Sequence, residues 1–339
     1  MTRALKKVAQ WHNVTIEMFD NEIVPLYEPA ILKGYVSHWP SVEAGVAGPD
    51  VVNQYLSSIY AGGKVRYARL AAEHAGLFGY SQDMRNLNFK RDIVDFEAFM
   101  QEVISNIDEA GADTLALQSA PIPDYFPDFA SENNIDLFPP DIEPRVWIGN
   151  DAIVSAHYDD SENIACVVSG KRRFTLFPPQ QIDNLYIGPI DFTPAGAPVS
   201  LVDHNNPDFG KFPKYREALN HALVAELEPG DAIYIPSLWW HHVEAYGGLN
   251  ILVNYWCGGS IEGKTKPVPA DNMLLGMLSI RDLPQAQKDA WKAILDYFVF
   301  SDQYQKHDHI PEQAKGLLSR LSPKQQSDIR RWLINQLKA

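Results

Sequence analysis

The chain is poor in the groups that would commit it to several common designs. It has two cysteines in 339 residues, Cys166 and Cys257, both within apolar runs. That is too few for a disulfide framework or a thiolate zinc site, and it suits a reducing compartment. No stretch approaches the ~20 apolar residues of a membrane-spanning helix. The opening Met1-Thr-Arg-Ala-Leu-Lys-Lys-Val8 has basic residues without the apolar core of a secretory signal. Lysine and arginine are outnumbered 29 to 43 by aspartate and glutamate, for a formal charge of −14. A nucleic-acid surface works by displacing counterions with basic side chains and is not expected here. Internal repeats and low-complexity tracts are missing too. The expectation is a soluble, unexported, cytoplasmic protein with neither a membrane nor a nucleic-acid partner.

What is present is enough apolar material, 45% of residues, to build a large core. Before residue 110 the pattern is mixed. Pro29-Ala-Ile-Leu-Lys-Gly-Tyr-Val36 and the alternating Lys64-Val-Arg-Tyr-Ala-Arg-Leu70 read as strands. Asp50-Val-Val-Asn-Gln-Tyr-Leu56 and Asp95-Phe-Glu-Ala-Phe-Met-Gln-Glu-Val-Ile104 read as helices. Thr114-Leu-Ala-Leu-Gln118 is a further strand, and the proline-rich stretches at 121–128 and 138–144 are loops or caps. From Arg145 to about Gly258 short strands follow closely: 145–149, 163–169, 172–177, 231–235 and 250–256, with Gly170-Lys171 as a hairpin turn between the second and third. That spacing suits a barrel. After Gly263 the pattern is helical, with amphipathic stripes at Met273, Leu274, Met277 and Leu278 and at Trp291, Ile294, Leu295 and Phe298. Ser322-Pro-Lys-Gln325 has the form of a capping box with proline at the first helical position, opening a helix with Ile329, Trp332, Leu333 and Leu337 on one side. The expected organisation is residues 1–262 as one mainly β domain with flanking helices and a barrel core at about 110–260, then residues 263–339 as a helical region. Its stripes need a partner surface, and a second copy of the chain is the preferred one.

Two stretches carry chemistry. In Ser155-Ala-His-Tyr-Asp-Asp-Ser-Glu-Asn163, His157 and Asp159 stand two apart, so on extended backbone both side chains share a face. Some eighty positions later, Pro229-Gly-Asp-Ala-Ile-Tyr-Ile-Pro236 reads as a turn and a buried strand, and Trp239-Trp-His-His-Val243 follows with His241 and His242. Two histidines and one carboxylate on a β scaffold make the facial triad of a non-haem Fe(II) oxygenase, with positions left open for cosubstrate and dioxygen. His241 and His242 alternate on a strand, so one of the pair faces the metal and the other faces away. His204, His221, His307 and His309 lie outside any ligand pattern.

The ordered set His157-Tyr-Asp159, Gly170-Lys-Arg-Arg-Phe-Thr-Leu-Phe-Pro-Pro179, Asn206-Pro-Asp208, Pro229-Gly-Asp231, Tyr234-Ile-Pro236, Trp239-Trp-His-His242 and Val253-Asn-Tyr-Trp256 resembles the cupin-like branch of the jumonji-C Fe(II)/2-oxoglutarate oxygenases, above all its asparaginyl hydroxylases. The likeness spans roughly residues 110–260. It implies a double-stranded β-helix core of the cupin or jelly-roll type, a C-terminal helical region that forms a homodimer, and a 2-oxoglutarate-dependent dioxygenase acting on a protein or peptide side chain. Such enzymes couple oxidative decarboxylation of 2-oxoglutarate, to succinate and CO₂, with hydroxylation of a C–H bond.

Carried over by position, the resemblance makes His157, Asp159 and His242 the iron ligands, taking the second histidine of Trp-Trp-His-His. It places Arg172 where a lysine holds the distal carboxylate of 2-oxoglutarate, a task a guanidinium fork also suits. Arg172 shares a strand face with Phe174 and Leu176, which points it inward. Asn163 and Asn254 match asparagines of the cosubstrate site, and Gln118 and Trp256 match positions near the substrate. Two departures stand out. Val154 and Ala116 replace a threonine and a tyrosine that donate hydrogen bonds to 2-oxoglutarate. At roughly 0.5–1.5 kcal/mol each, their loss motivates an alternative: a metal-binding cupin that holds a small molecule or partner without turning over 2-oxoglutarate.

Overall fold

The computed structural model describes residues 5–107, 109–194, 196–259, 269–301 and 307–338. It divides into two compact units, Met1–Lys266 and Pro267–Ala339. The expected boundary at 262/263 falls outside the described residues.

The strands of the first unit are, in chain order, β1 (Lys6–Lys7), β2 (Ala9–His12), β3 (Ala30–Lys33), β4 (Lys64–Leu70), β5 (Leu77–Phe78), β6 (Phe89–Asp95), β7 (Thr114–Pro121), β8 (Arg145–Gly149), β9 (Ala152–His157), β10 (Glu162–Phe177), β11 (Leu223–Leu227), β12 (Ala232–Ile235) and β13 (Trp240–Cys257). They join in one sheet whose spine runs β2-β3-β12-β10-β13-β8-β7-β4-β6, with β11 beside β10 and β9 beside β13. The long antiparallel pair β10–β13 is the hinge of the architecture. The first half of β10 pairs with β12 and its second half with β11. Likewise the second half of β13 pairs with β8 and its first half with β9. Each half thus continues into its own layer, the construction of a jelly-roll core.

The point of division is where the sequence reading errs. Gly170-Lys171 is not a hairpin turn; β10 runs straight through it, and the β10–β13 register shifts on both sides of Ser169. Gly170 has φ +72°, and a Cβ there would lie 2.5 Å from Asn250 Oδ1. Gly247 (φ +88°) and Gly248 (φ +98°) lie across from it on β13. Only glycine takes such geometry at low cost, and bulges of this kind bend a strand and change which face its side chains meet.

Other elements follow local pattern. Strand β4 matches its alternation, with Val65 and Tyr67 buried against the helix Phe96–Ser105. The helix foreseen at 50–56 runs Pro49–Ser58. The strand expected over 29–36 is confined to Ala30–Lys33, because Gly34 (φ +68°) turns the chain away. Strand β6 was not foreseen. Trp39, Phe99, Phe129 and Tyr234 anchor the largest apolar cluster.

In the second unit the helices are Pro269–Ser279, Gln285–Leu295 and Pro323–Leu337. The last opens on a reciprocal capping box between Ser322 and Gln325 with Pro323 at its first turn. Among the described residues, no helix is long and apolar enough to cross a membrane.

Candidate metal centre

His157 ends β9 and Asp159 lies two residues beyond it. His241, the second residue of β13, is the register partner of His157. The three side chains converge, each offering a ligand atom within 4.8 Å of the others. The imidazoles of His157 and His241 lie 4.3 Å apart between ring centroids, and His241 Nε2 is 3.6 Å from Asp159 Oδ2. Both rings are oriented from behind by backbone. His157 Nδ1 lies 2.9 Å from the Ser155 carbonyl and His241 Nδ1 lies 3.0 Å from the Trp239 carbonyl. A carbonyl only accepts, so each Nδ1 carries the proton and each Nε2 presents a lone pair, the arrangement second-shell partners impose on metal-binding histidines. Burial, aided by the neighbouring His241, pushes the His157 pKa down to about 4, keeping the ring neutral. The Trp256 indole donates to Asp159 Oδ2 at 3.0 Å, and the Leu238 amide donates to the Asp159 carbonyl at 2.7 Å. Two imidazoles tethered through Nδ1 and a braced carboxylate fit a divalent first-row metal with N/O preference, such as Fe(II).

The histidine that converges with His157 and Asp159 is therefore His241, and the expectation that His242 completes the set is corrected. His242 points to the opposite side of β13. Its ring lies 4.6 Å from that of His204 between centroids, and its Nε2 is 3.6 Å from Glu244 Oε1. Trp240 shares that outer side, packed edge-on against Tyr158 at 4.8 Å. The alternation was right and its phase was wrong. Counted back without interruption from Trp256, Asn254 and Leu252, which face the cavity, every second residue leads to His242. The β13 bulge at the two glycines consumes one residue of phase, so Val243 and His241 face inward instead. A break in alternation at Gly247-Gly248 is the signal that could have revealed this.

The triad opens into a cavity of about 450 Å³ whose wall includes Gln118, Trp147, Asn163, Arg172, Asn254 and Trp256. Arg172 is 9% exposed, and its Nε has no hydrogen-bond partner. Among the described residues no carboxylate pairs with it within 4 Å, and burial lowers its pKa to about 10, leaving it charged at neutral pH. Its neighbours Lys171 and Arg173 point the other way, towards Glu228 and Glu226. Asn254 Nδ2 donates to Asn163 Oδ1 at 3.3 Å and accepts at Oδ1 from the Trp147 indole at 2.9 Å. Trp147 belongs to this network and was missed, because its residue type in an apolar strand signals only core. Val154 does line the cavity, offering no donor, beside Ser155. Ala116 packs instead against the small apolar cluster of Ala68, Leu70, Phe78 and Phe89.

A β-barrel cavity holding two histidines and a carboxylate on one face, with a buried arginine beyond them, has the make-up of a cupin whose donor set could hold a metal ion. The cupin-like domain profile matches residues 15–260, and the chain belongs to that family, in its jumonji-C oxygenase branch. It is 27% identical over 262 residues to human HSPB1-associated protein 1, covering 69% of this chain and 48% of that protein. To Jumonji C domain-containing protein 5 of Drosophila melanogaster it is 26% identical over 247 residues, 71% of this chain and 57% of the relative. A shorter match, 34% over 130 residues, joins 32% of this chain to 40% of the human bifunctional peptidase and (3S)-lysyl hydroxylase JMJD7. The chain spans about half the length of these relatives.

Proposed function

We propose that this protein is an Fe(II)- and 2-oxoglutarate-dependent oxygenase that hydroxylates a protein or peptide side chain. The observation that carries the reading is Arg172: a buried guanidinium with no carboxylate within 4 Å among the described residues, facing the same cavity as the triad. Burying a charge without a partner costs several kcal/mol, so the position makes sense when an anion enters. A dicarboxylate that reaches from the metal to Arg172 satisfies it. The relative described as a lysyl hydroxylase supports a polypeptide substrate.

Iron held by His157, Asp159 and His241 would supply the oxidative chemistry, with 2-oxoglutarate as the co-reductant of dioxygen. The chain's own contribution is placement. Trp256 and the Leu238 amide hold the Asp159 carboxylate and backbone; the two carbonyl-tethered imidazoles keep their Nε2 atoms directed at one point. Asn163, Asn254 and Trp147 form a rigid polar network on one wall. Val154, Phe174, Val243 and Leu252 keep the rest apolar, which strengthens the pull of Arg172 on a carboxylate.

The test is anaerobic titration of 2-oxoglutarate into the Fe(II)-loaded protein, followed by the weak visible charge-transfer band of chelation. A saturable band is expected, weakened about 30-fold or more in apparent affinity by Arg172→Ala, the scale of losing one partner of a buried charge pair. Bound metal without a band would favour the second reading, a metal-holding cupin without 2-oxoglutarate turnover, for which Val154 is the supporting observation.

We also propose that the second unit pairs with another copy of the chain. Leu278 (81%), Phe300 (77%), Trp332 (60%) and Leu337 (63%) are exposed there, more large apolar surface than a solitary helical unit carries at no cost. Sedimentation should give a dimer, reduced to monomer by Trp332→Glu with Leu337→Glu; a monomeric native protein would refute the pairing.

A further inference from the structure

Strands β4 and β6 form the outer end of the sheet, with β6 its terminal strand. Their two faces differ. Val65, Tyr67 and Arg69 point towards the helix Phe96–Ser105, where Arg69 is saturated by Glu102 at 2.6 Å, Asp92 at 2.8 Å and Asp113 at 3.5 Å. The opposite face of β4 carries Lys64, Arg66, Ala68 and Leu70, set against Asp95, Ile93, Arg91 and Phe89 of β6. Leu70 and Phe89 anchor a small apolar cluster with Phe78, and Phe78 and Arg91 line the mouth of the metal cavity. The face is therefore continuous with the site.

Its charge is one-sided. Lys64 stands opposite Asp95 in the strand register. Arg66 and Arg91 are exposed, and among the described residues neither has a carboxylate within 4 Å. They occupy diagonal positions across the pair, since Arg66 opposes Ile93 and Arg91 opposes Ala68. Diagonal neighbours are roughly 7–8 Å apart. An extended polypeptide repeats its side chains on one face every two residues, about 6.6–6.8 Å. The spacings match. Beside Arg66, Ile93 is 61% exposed and offers an apolar contact.

We infer that this face is a docking shelf for an acidic segment of the substrate polypeptide, with two carboxylates at i and i+2 held by Arg91 and Arg66 while a neighbouring residue enters the cavity. The inference rests on the oxygenase reading for its polypeptide occupant. Charge complementarity supports it: on a protein of net charge −14, an acidic partner is repelled overall and attracted at a local basic shelf, which makes the shelf selective as well as attractive.

The probe is a short fluorescein-labelled peptide with glutamate at alternate positions, compared by anisotropy with its lysine counterpart at low and moderate salt. The wild-type protein should bind the glutamate peptide, with affinity falling as salt rises. The double variant Arg66→Glu/Arg91→Glu should lose at least about tenfold in that affinity, and Arg66→Lys/Arg91→Lys should lose less, keeping the charges without the forks. Melting temperatures report whether the variants are folded. Equal binding by the wild type and the Glu variant, or a wild-type preference for the lysine peptide, overturns the shelf. So does a single-stranded oligonucleotide that binds more tightly than the peptide and is lost equally in the variant, since the face would then be a general polyanion site. The charge-transfer titration of the wild type judges the oxygenase reading separately: a band without the peptide preference sinks the shelf alone, and the preference without a band sinks the oxygenase alone.

Discussion

His241 and His242 are adjacent on one strand, both almost fully buried, at 3% and 2% exposure, and they lead different chemical lives. On the inner face His241 is tethered through Nδ1 and meets His157 and Asp159 in a cavity that holds a further buried cation. On the outer face His242 has neither ring nitrogen hydrogen-bonded and lies among His204, Glu244 and Trp240. His204 in turn bonds Tyr215 Oη at 2.6 Å and Thr175 Oγ1 at 3.3 Å. Residue type and sequence proximity do not make a ligand. Convergence does, and convergence is a property of which face a residue occupies.

The comparison can be broken most decisively at the two histidines. His241→Ala should reduce Fe(II) or Mn(II) affinity by more than about 100-fold, since loss of even an outer-shell partner costs 10–100-fold; His242→Ala should change it by less than about tenfold. Titration calorimetry decides, and the reverse ranking would restore His242 as ligand.

A smaller effect separates the faces by pH. Burial, reinforced by His242, holds the His204 pKa down to about 4, against roughly 6.5 in an unfolded chain. Between those values the unfolded state binds a proton that the native state refuses. The stabilisation is thus complete above about pH 6.5 and drains away as pH falls towards 4, by about 3 kcal/mol in total. Denaturant midpoints for His204→Gln should show a flatter acid limb; an unchanged slope would assign the acid sensitivity elsewhere.

The least drastic change sharpens the inner face. Trp256→Phe keeps an aromatic ring, smaller than the indole, and removes the donor to Asp159, so metal affinity should fall about tenfold. No change in affinity would make Trp256 a wall residue only.

Much of this was legible before the fold was known, wherever a short uninterrupted pattern carried it. His157 and Asp159 stand two apart with nothing between to disturb the count. Arg172, Phe174 and the outward Lys171 and Arg173 follow one unbroken alternation. Ser322 and Gln325 form their box from four contiguous residues, and β4 needs only its own seven. What was not legible lies beyond glycines or in mixed charge. Gly170 reads as a turn, because a glycine before a lysine between two apolar runs is what a hairpin offers; that it sits in a bulge follows only from Asn250 and Leu249 pressing against it. Strand β6, Phe-Lys-Arg-Asp-Ile-Val-Asp, has too little apolar alternation to declare itself, and it is ordered by pairing with β4 along its whole length.

The sequence by itself determined the donor set, two imidazoles and a carboxylate with an arginine in register behind them, because these are matters of residue type and short spacing. Which of two neighbouring histidines completes the set was decided only in the tertiary structure. The side-chain period of a strand is two, so one residue absorbed at Gly247-Gly248 turns every later side chain to the other face. The pairing of β13 with β9 on one side and β10 on the other then holds that choice in place.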